Sequence, residues 1–251
     1  MAYKSVVQAA GTALLVLCGA ATAAAAFDIS EPDVEKGKQQ LEAIHVGQSG
    51  FAGGTGGNTR NLQTLGYLYG LTDFWQIKAG VFADRLDDRD WKVSAVLFEN
   101  TFELLKWRKT GGFGLAWFTA ASGATSDDAT NAVTFGPILK FASEKFALTL
   151  NPFLDKTFGQ NHAEGIAFAY GWQLGAQVAE GVTLALAGFG RVENLGDAPV
   201  LREQEHKIGP VLAFEHGLDD KRTLSLELGV FLGLTAATPD QAVKVKLTYG
   251  F

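Results

Sequence analysis

Four histidines, His45, His162, His206 and His216, are the side chains of this chain best suited to moving a proton near neutral pH. An acyl-transferring enzyme would pair one of them with a serine nucleophile and an acidic or amide partner. His162 has Asn161 and Glu164 close in sequence, but no serine lies in a nucleophile-elbow pattern and no His-x-Ser pairing occurs. No two histidines stand at metal-ligand spacing, so neither a metal nor a cofactor is expected. The single cysteine, Cys18, lies near the N-terminus and leaves the rest of the chain without a thiol for a disulfide, a metal or nucleophilic attack. The glycines between positions 48 and 58 lack the Lys-Ser/Thr ending and the following helix of a phosphate-cradling loop. No catalytic residue is assigned, and the chain is read as a non-enzyme.

Charge offers a second kind of chemistry. Lys78, Asp84, Glu99, Glu103, Lys140, Arg191, Lys207, Glu227, Lys244 and Lys246 occupy the polar phase of alternating segments, together with Gln76, Thr101, Asn151 and Gln173. Successive side chains of a strand point to opposite faces. In a barrel whose apolar face is turned outward, this set converges on the lumen. There it would line a water-filled path that selects small solutes, or it would brace and close the barrel through cross-lumen ion pairs. Glu227, opposite Lys244 and Lys246 on the neighbouring strand, is the natural bracing pair. A third set, Asp87, Asp88, Asp90, Asp127, Asp128, Glu193, Asp197 and Glu203, falls in connecting loops. Its members could bind divalent ions that bridge lipopolysaccharide, or a cationic solute, or stand as solvated loop surface.

The elements that must carry these residues follow from period-two alternation. It predicts strands at about 38–47, 59–70, 75–84, 91–105, 112–121, 131–141, 146–154, 166–175, 182–192, 205–215, 223–232 and 243–251. Segment 75–84 sets Trp75, Ile77, Ala79, Val81 and Ala83 against Gln76, Lys78, Gly80, Phe82 and Asp84. Segment 91–105 changes phase along its length, and Asn100 falls on the apolar side, which suggests a bulge. Long and short connections alternate, starting long, and twelve is an even number, as hairpins in a single-chain membrane barrel require. Phe74, Trp75, Trp107, Phe141, Phe146, Tyr249 and Phe251 gather at the short-turn ends, the pattern of a headgroup girdle. Twelve strands about 4.8 Å apart and tilted ~40° give a backbone radius of about 12 Å.

The last strand is the most regular. Val243, Val245, Leu247, Tyr249 and Phe251 alternate with Lys244, Lys246, Thr248 and Gly250. Apolar alternation with an aromatic two positions before a final Phe resembles the C-terminal assembly signal of bacterial outer-membrane β-barrels. The segments Val34–Gly37, Phe98–Phe102, 205–212 and 231–235 are similar to those of a family of small proteobacterial outer-membrane barrel proteins, porin- or transporter-like. The resemblance implies an all-β, up-and-down transmembrane barrel in the outer membrane of a Gram-negative bacterium, with membrane lipids and the barrel-assembly machinery as partners.

The N-terminus fits export. Lys4 precedes an apolar run from Gly11 to Ala26, and Ala24-Ala25-Ala26 permits cleavage before Phe27. The run is shorter than the ~20 residues of a spanning helix, and Leu17 before Cys18 argues against a lipoprotein. The chain therefore divides into a signal peptide (1–26), a charged periplasmic lead-in that is partly ordered at best (27–37), and a barrel (38–251). The formal charge of −6 for 251 residues argues against nucleic acid as a partner. The expected function is a passive channel or transporter for small solutes. A plugged structural barrel working through its external loops is the alternative, and an outer-membrane lipid-modifying enzyme the third reading.

Overall fold

The computed structural model describes residues 27–50, 59–87, 89–106, 112–126, 129–159 and 162–251. The expected signal peptide, Cys18, most of the glycine-rich stretch, Trp107, Asn161, Asp88, Asp127 and Asp128 lie outside these residues. Twelve strands follow in order: β1 (Gln39–Ser49), β2 (Thr59–Gly70), β3 (Trp75–Leu86), β4 (Lys92–Leu105), β5 (Gly112–Ala124) and β6 (Asn131–Ala142), then β7 (Phe146–Phe158), β8 (Ala167–Ala179), β9 (Val182–Val192), β10 (Glu205–Gly217), β11 (Thr223–Gly233) and β12 (Gln241–Gly250). Each pairs antiparallel with its sequence neighbours, and β1 pairs with β12 to close the barrel. Closure leaves no strand edge unpaired, the condition for a sheet in lipid.

Alternation decides which side chains face out. Leu65, Leu104, Val230 and Leu247 are exposed on the outer face. Thr64, Thr101, Asn151 and Lys244 are buried on the inner one. Connections are short at one end of the barrel and longer at the other. Residues 180–181 alone join β8 to β9, whereas 193–204 join β9 to β10. These are called here the turn end and the loop end.

The phase change in β4 has a local cause. Phe82 pairs with Ala95 and Ala83 with Val93, so Ser94 is the extra residue of a bulge. Both Ser94 and Ala95 consequently point inward and are buried. The bulge is six positions before Asn100, where the sequence placed it. Asn100 faces outward in regular register and accepts a hydrogen bond from Trp75 Nε1 at 3.2 Å. A polar side chain on the apolar face is thus used to satisfy an indole N–H.

Prolines mark interruptions elsewhere. Between Phe135↔Leu154 and Leu139↔Leu150 the β6–β7 register lapses, across Pro137 and Pro152, which have no N–H to donate. On the outer face of β9, Gly188 and Gly190 leave room for neighbouring rings. A Cβ on Gly188 would come within 2.5 Å of the Trp172 ring, and one on Gly190 within 2.4 Å of the Tyr170 ring.

The segment expected to hang below the barrel lies inside it. Phe27, Ile29, Pro32 and Val34 are buried, and the chain from 28 to 35 runs without regular secondary structure. It leaves at the turn end, where Gly37, at φ 81°, donates its N–H to the Gly70 carbonyl at 2.8 Å. A Cβ on Gly70 would sit 1.9 Å from the Glu35 carbonyl oxygen, so only glycine lets the segment pass. A charged lead-in belongs in water only while its charges lack partners. Here the wall supplies them.

Candidate functional site: a lumen filled by the N-terminal segment

The inward residues form layers from the turn end to the loop end. In the lowest layer Lys140 on β6 binds Glu31 at 2.8 Å and Asp33 at 3.1 Å. Thr149 on β7 donates its hydroxyl to Glu31 at 3.1 Å. Glu103 on β4 accepts the Val34 N–H at 3.4 Å. Above it Asn151, 1% exposed, holds both polar groups of one residue: its Oδ1 accepts the Ser30 N–H at 2.7 Å and its Nδ2 donates to the Ser30 carbonyl at 3.0 Å.

The middle layer is an interleaved belt of charge. Lys246 binds Asp28 at 2.7 Å and Glu42 at 2.9 Å. Lys244 pairs with Glu227 on β11 and lies 3.6 Å from Asp28. Lys78 pairs with Glu42 and approaches Glu99 at 3.6 Å. On the wall, Glu42, Glu99 and Glu227 face Lys78, Lys244 and Lys246, whereas Lys140 binds carboxylates of the segment. Asp28, Glu31 and Asp33 are added by the N-terminal segment. Arg191 pairs with Asp155 and Glu193 nearer the loop end, and Arg60 with Asp84 at 3.4 Å.

Toward the loop end the inner face turns apolar. Phe27 packs between Phe189 and Phe231, with ring centroids at 5.9 and 6.0 Å. Ile44, Val46, Leu62, Phe82, Ala187 and Val211 belong to the same cluster. Lys207, 5% exposed, places its Nζ 3.9 Å from the centre of the Phe27 ring and 3.7 Å from Glu205. A desolvated ammonium over an aromatic face gains a cation–π interaction. Across the lumen, Phe118 stacks on Phe153 at 4.8 Å.

Space remains on both sides of the segment at the turn end. A cavity of about 560 Å³ is bounded by Glu31, Lys140, Gln173, Glu215, Glu227 and Lys246. Another of about 280 Å³ is bounded by Asp33, Gln40, Lys78, Glu99 and Thr101. Higher up, a void of about 40 Å³ remains beside Ile44, Leu97 and Phe118.

The ten charged residues proposed from sequence all lie on inward-facing positions; nine fall into several separate ion-pair groups, and Glu103 instead accepts the Val34 N–H. Missed were the segment 27–36 and the apolar inner layer. Phe27, Ile29 and Val34 were the signal for the first, and the inward phase of Phe82, Phe189 and Phe231 for the second. The histidines are scattered. His45 lies near Trp91, His162 bonds the Gly159 carbonyl, and His216 stands on β10. His206 meets the Tyr170 hydroxyl at 2.7 Å and Gln204 at 3.0 Å. Among the described residues no group of three or more His, Cys, Asp or Glu could hold a metal ion. Among the loop acids, Asp87 accepts the Thr59 N–H and Glu193 pairs with Arg191.

On the closing strand, Val243, Leu247 and Phe251 are exposed outward, and Tyr249 stacks on Phe251 at 5.5 Å. Phe74, Phe141 and Phe146 are likewise exposed at the turn end.

The architecture is that of the porin-like outer-membrane β-barrels. Solved structures of this class superpose on it over most of their length. An outer membrane channel from Pseudomonas putida F1 matches with a TM-score of 0.56 at 14% identity, covering 89% of this chain and 98% of that one. The NanC porin matches with a TM-score of 0.53 at 10% identity, covering 84% and 98%. The KdgM porin in complex with disordered oligogalacturonate gives 0.51 at 8% identity, with the same coverages. At these identities the likeness is one of fold. No protein-family model matches the sequence, and no curated protein does.

Proposed function

We propose that the chain is an outer-membrane conduit for small solutes, closed at rest by its own residues 27–36. In this reading residues 1–26 are the export signal, and Val243, Val245, Leu247, Tyr249 and Phe251 present the closing strand to the assembly machinery. The apolar outer face meets lipid. The observation that carries the reading is the way the lumen is blocked. Turn-end cavities of about 560 and 280 Å³ flank a segment that belongs to no strand of the barrel and is held by ion pairs, hydrogen bonds and the packing of its apolar side chains. A barrier held by such contacts can leave, whereas one built into the strands cannot.

The Phe27–Phe189–Phe231 seal favours a second reading, a permanently stoppered barrel whose loops are its working surface. One experiment separates them. The full chain with Asp28→Asn, Glu31→Gln and Asp33→Asn keeps the shape of the segment but loses the three carboxylates that meet the wall lysines; Lys78, Lys244 and Lys246 keep Glu42 and Glu227, while Lys140 loses the carboxylates of Glu31 and Asp33. Reconstituted in a planar bilayer, this variant is expected to show frequent openings where the parent shows rare ones. Equal silence from both, with the variant folded and inserted, would establish the stoppered barrel.

A further inference from the structure

We infer that the lumen wall is a receptor for an extended acidic peptide, and that residues 27–36 are its resident ligand. The inference rests on the conduit reading, and deepens it by naming the solute class. What the wall grips is first of all a peptide backbone. Asn151, on β7, accepts the N–H and donates to the C=O of the same residue, Ser30. A side-chain amide has one acceptor and two donors in a fixed plane, and this double contact fits the N–H and C=O of one residue. Glu103 takes a second backbone N–H, from Val34.

Side chains are read at fixed spacing around these anchors. The carboxylate one residue after the aromatic head meets Lys246 and Lys244. Those at the fifth and seventh positions, Glu31 and Asp33, converge on Lys140. The head itself, Phe27, enters the pocket of Phe189 and Phe231 under Lys207. Opposite signs alternate closely on the rest of the wall: Glu227 stands by Lys244, and Glu42 by Lys78 and Lys246. Such a wall offers little net attraction to a simple anion. It favours a ligand whose carboxylates arrive at the right places along an extended chain, which is how geometry rather than charge gives specificity.

A peptide in the lumen therefore competes with the resident segment, and the segment's departure costs the barrel little when the newcomer makes the same bonds. The competing segment lowers apparent affinity by the fraction of time it leaves the site vacant, so weakening it raises the affinity for a peptide in trans.

The test uses the full chain carrying Asp28→Asn, Glu31→Gln and Asp33→Asn, a fluorescent synthetic peptide of residues 27–36, a scrambled peptide of the same composition, and an acidic oligosaccharide of similar charge. Anisotropy is expected to show the natural peptide binding the variant at least tenfold more tightly than the scrambled one, and at least tenfold more tightly than it binds the parent. Adding Asn151→Ala should weaken the natural and the scrambled peptide alike, because its two bonds go to backbone groups. Equal binding of scrambled and natural peptides, or tighter binding of the oligosaccharide, would overturn the peptide assignment, as would no binding at all. Conductance, recorded separately, bears only on the conduit. Peptide binding without openings would leave a receptor barrel, and openings without selective binding would leave a conduit for another solute.

Discussion

Replacing Asp28 by Asn isolates one of the contacts that hold the segment in place. The carboxylate accepts a 2.7 Å bond from Lys246 and lies 3.6 Å from Lys244. Removing the charge does not strand either lysine, because Lys246 keeps Glu42 at 2.9 Å and Lys244 keeps Glu227. The heavy penalty for an uncompensated buried charge is thereby avoided. What is lost is the ion pair: the Lys246 ammonium still donates to the Asn oxygen, so a paired-charge bond of about 1.5–3 kcal/mol falls to a weaker one of about 1 kcal/mol. A loss of about 0.5–2 kcal/mol shifts a two-state equilibrium by a factor of roughly 2–30. While openings are rare, the open probability in single-channel recordings should rise by that factor, with unit conductance little changed. A rise of less than about twofold in folded, inserted protein would refute the idea that this contact holds the segment shut.

Further outcomes follow from the same geometry. Lys244→Met leaves Glu227 and Asp28 short of a partner in a site where Lys244 is 1% exposed, so it should lower barrel stability by about 3–5 kcal/mol. Its urea midpoint in detergent should fall well below that of Asp28→Asn. Asn100→Leu makes the outer face more apolar yet orphans Trp75 Nε1, and should destabilise by about 1–3 kcal/mol in the same assay. At the 218–222 turn, the Arg222 side chain and then the Lys221 and Arg222 N–H groups hold the Asp219 carboxyl down to about 2. A depressed value means that the turn's bonds are complete above the ordinary carboxylate pKa of ~3.9 and fade as pH falls toward about 2. The side-chain carboxyl signal of Asp219 should therefore titrate near 2 by NMR, and Arg222→Ala should move it upward.

The strands were legible because the outer face of each is apolar and the inner face largely polar, which gives a period of two across most of 39–250. Segment 75–84 was assigned residue by residue in its correct phase, Phe82 included. Asn100 was misattributed because the partner that explains it, Trp75, is on the adjacent strand, and only register brings them together. The segment 27–36 was misread for a related reason. Its acids look solvated by composition, and their partners Lys140, Lys244 and Lys246 lie more than 100 residues away. The apolar layer around Phe189 and Phe231 was hidden by the assumption that a barrel interior is polar along its whole height.

The bond from Asp28 to Lys246 spans 218 residues, nearly the whole described chain. Lys246 belongs to β12, the strand that pairs with β1 to close the cylinder. The grip on the first residues is therefore incomplete until the last strand has docked, and contacts of such sequence separation are late to form. Sealing the cylinder and seating its contents become one event. A cylinder that closed early, with 27–36 outside, would be filled from the turn end, past Gly70, by the same passage through which the segment leaves.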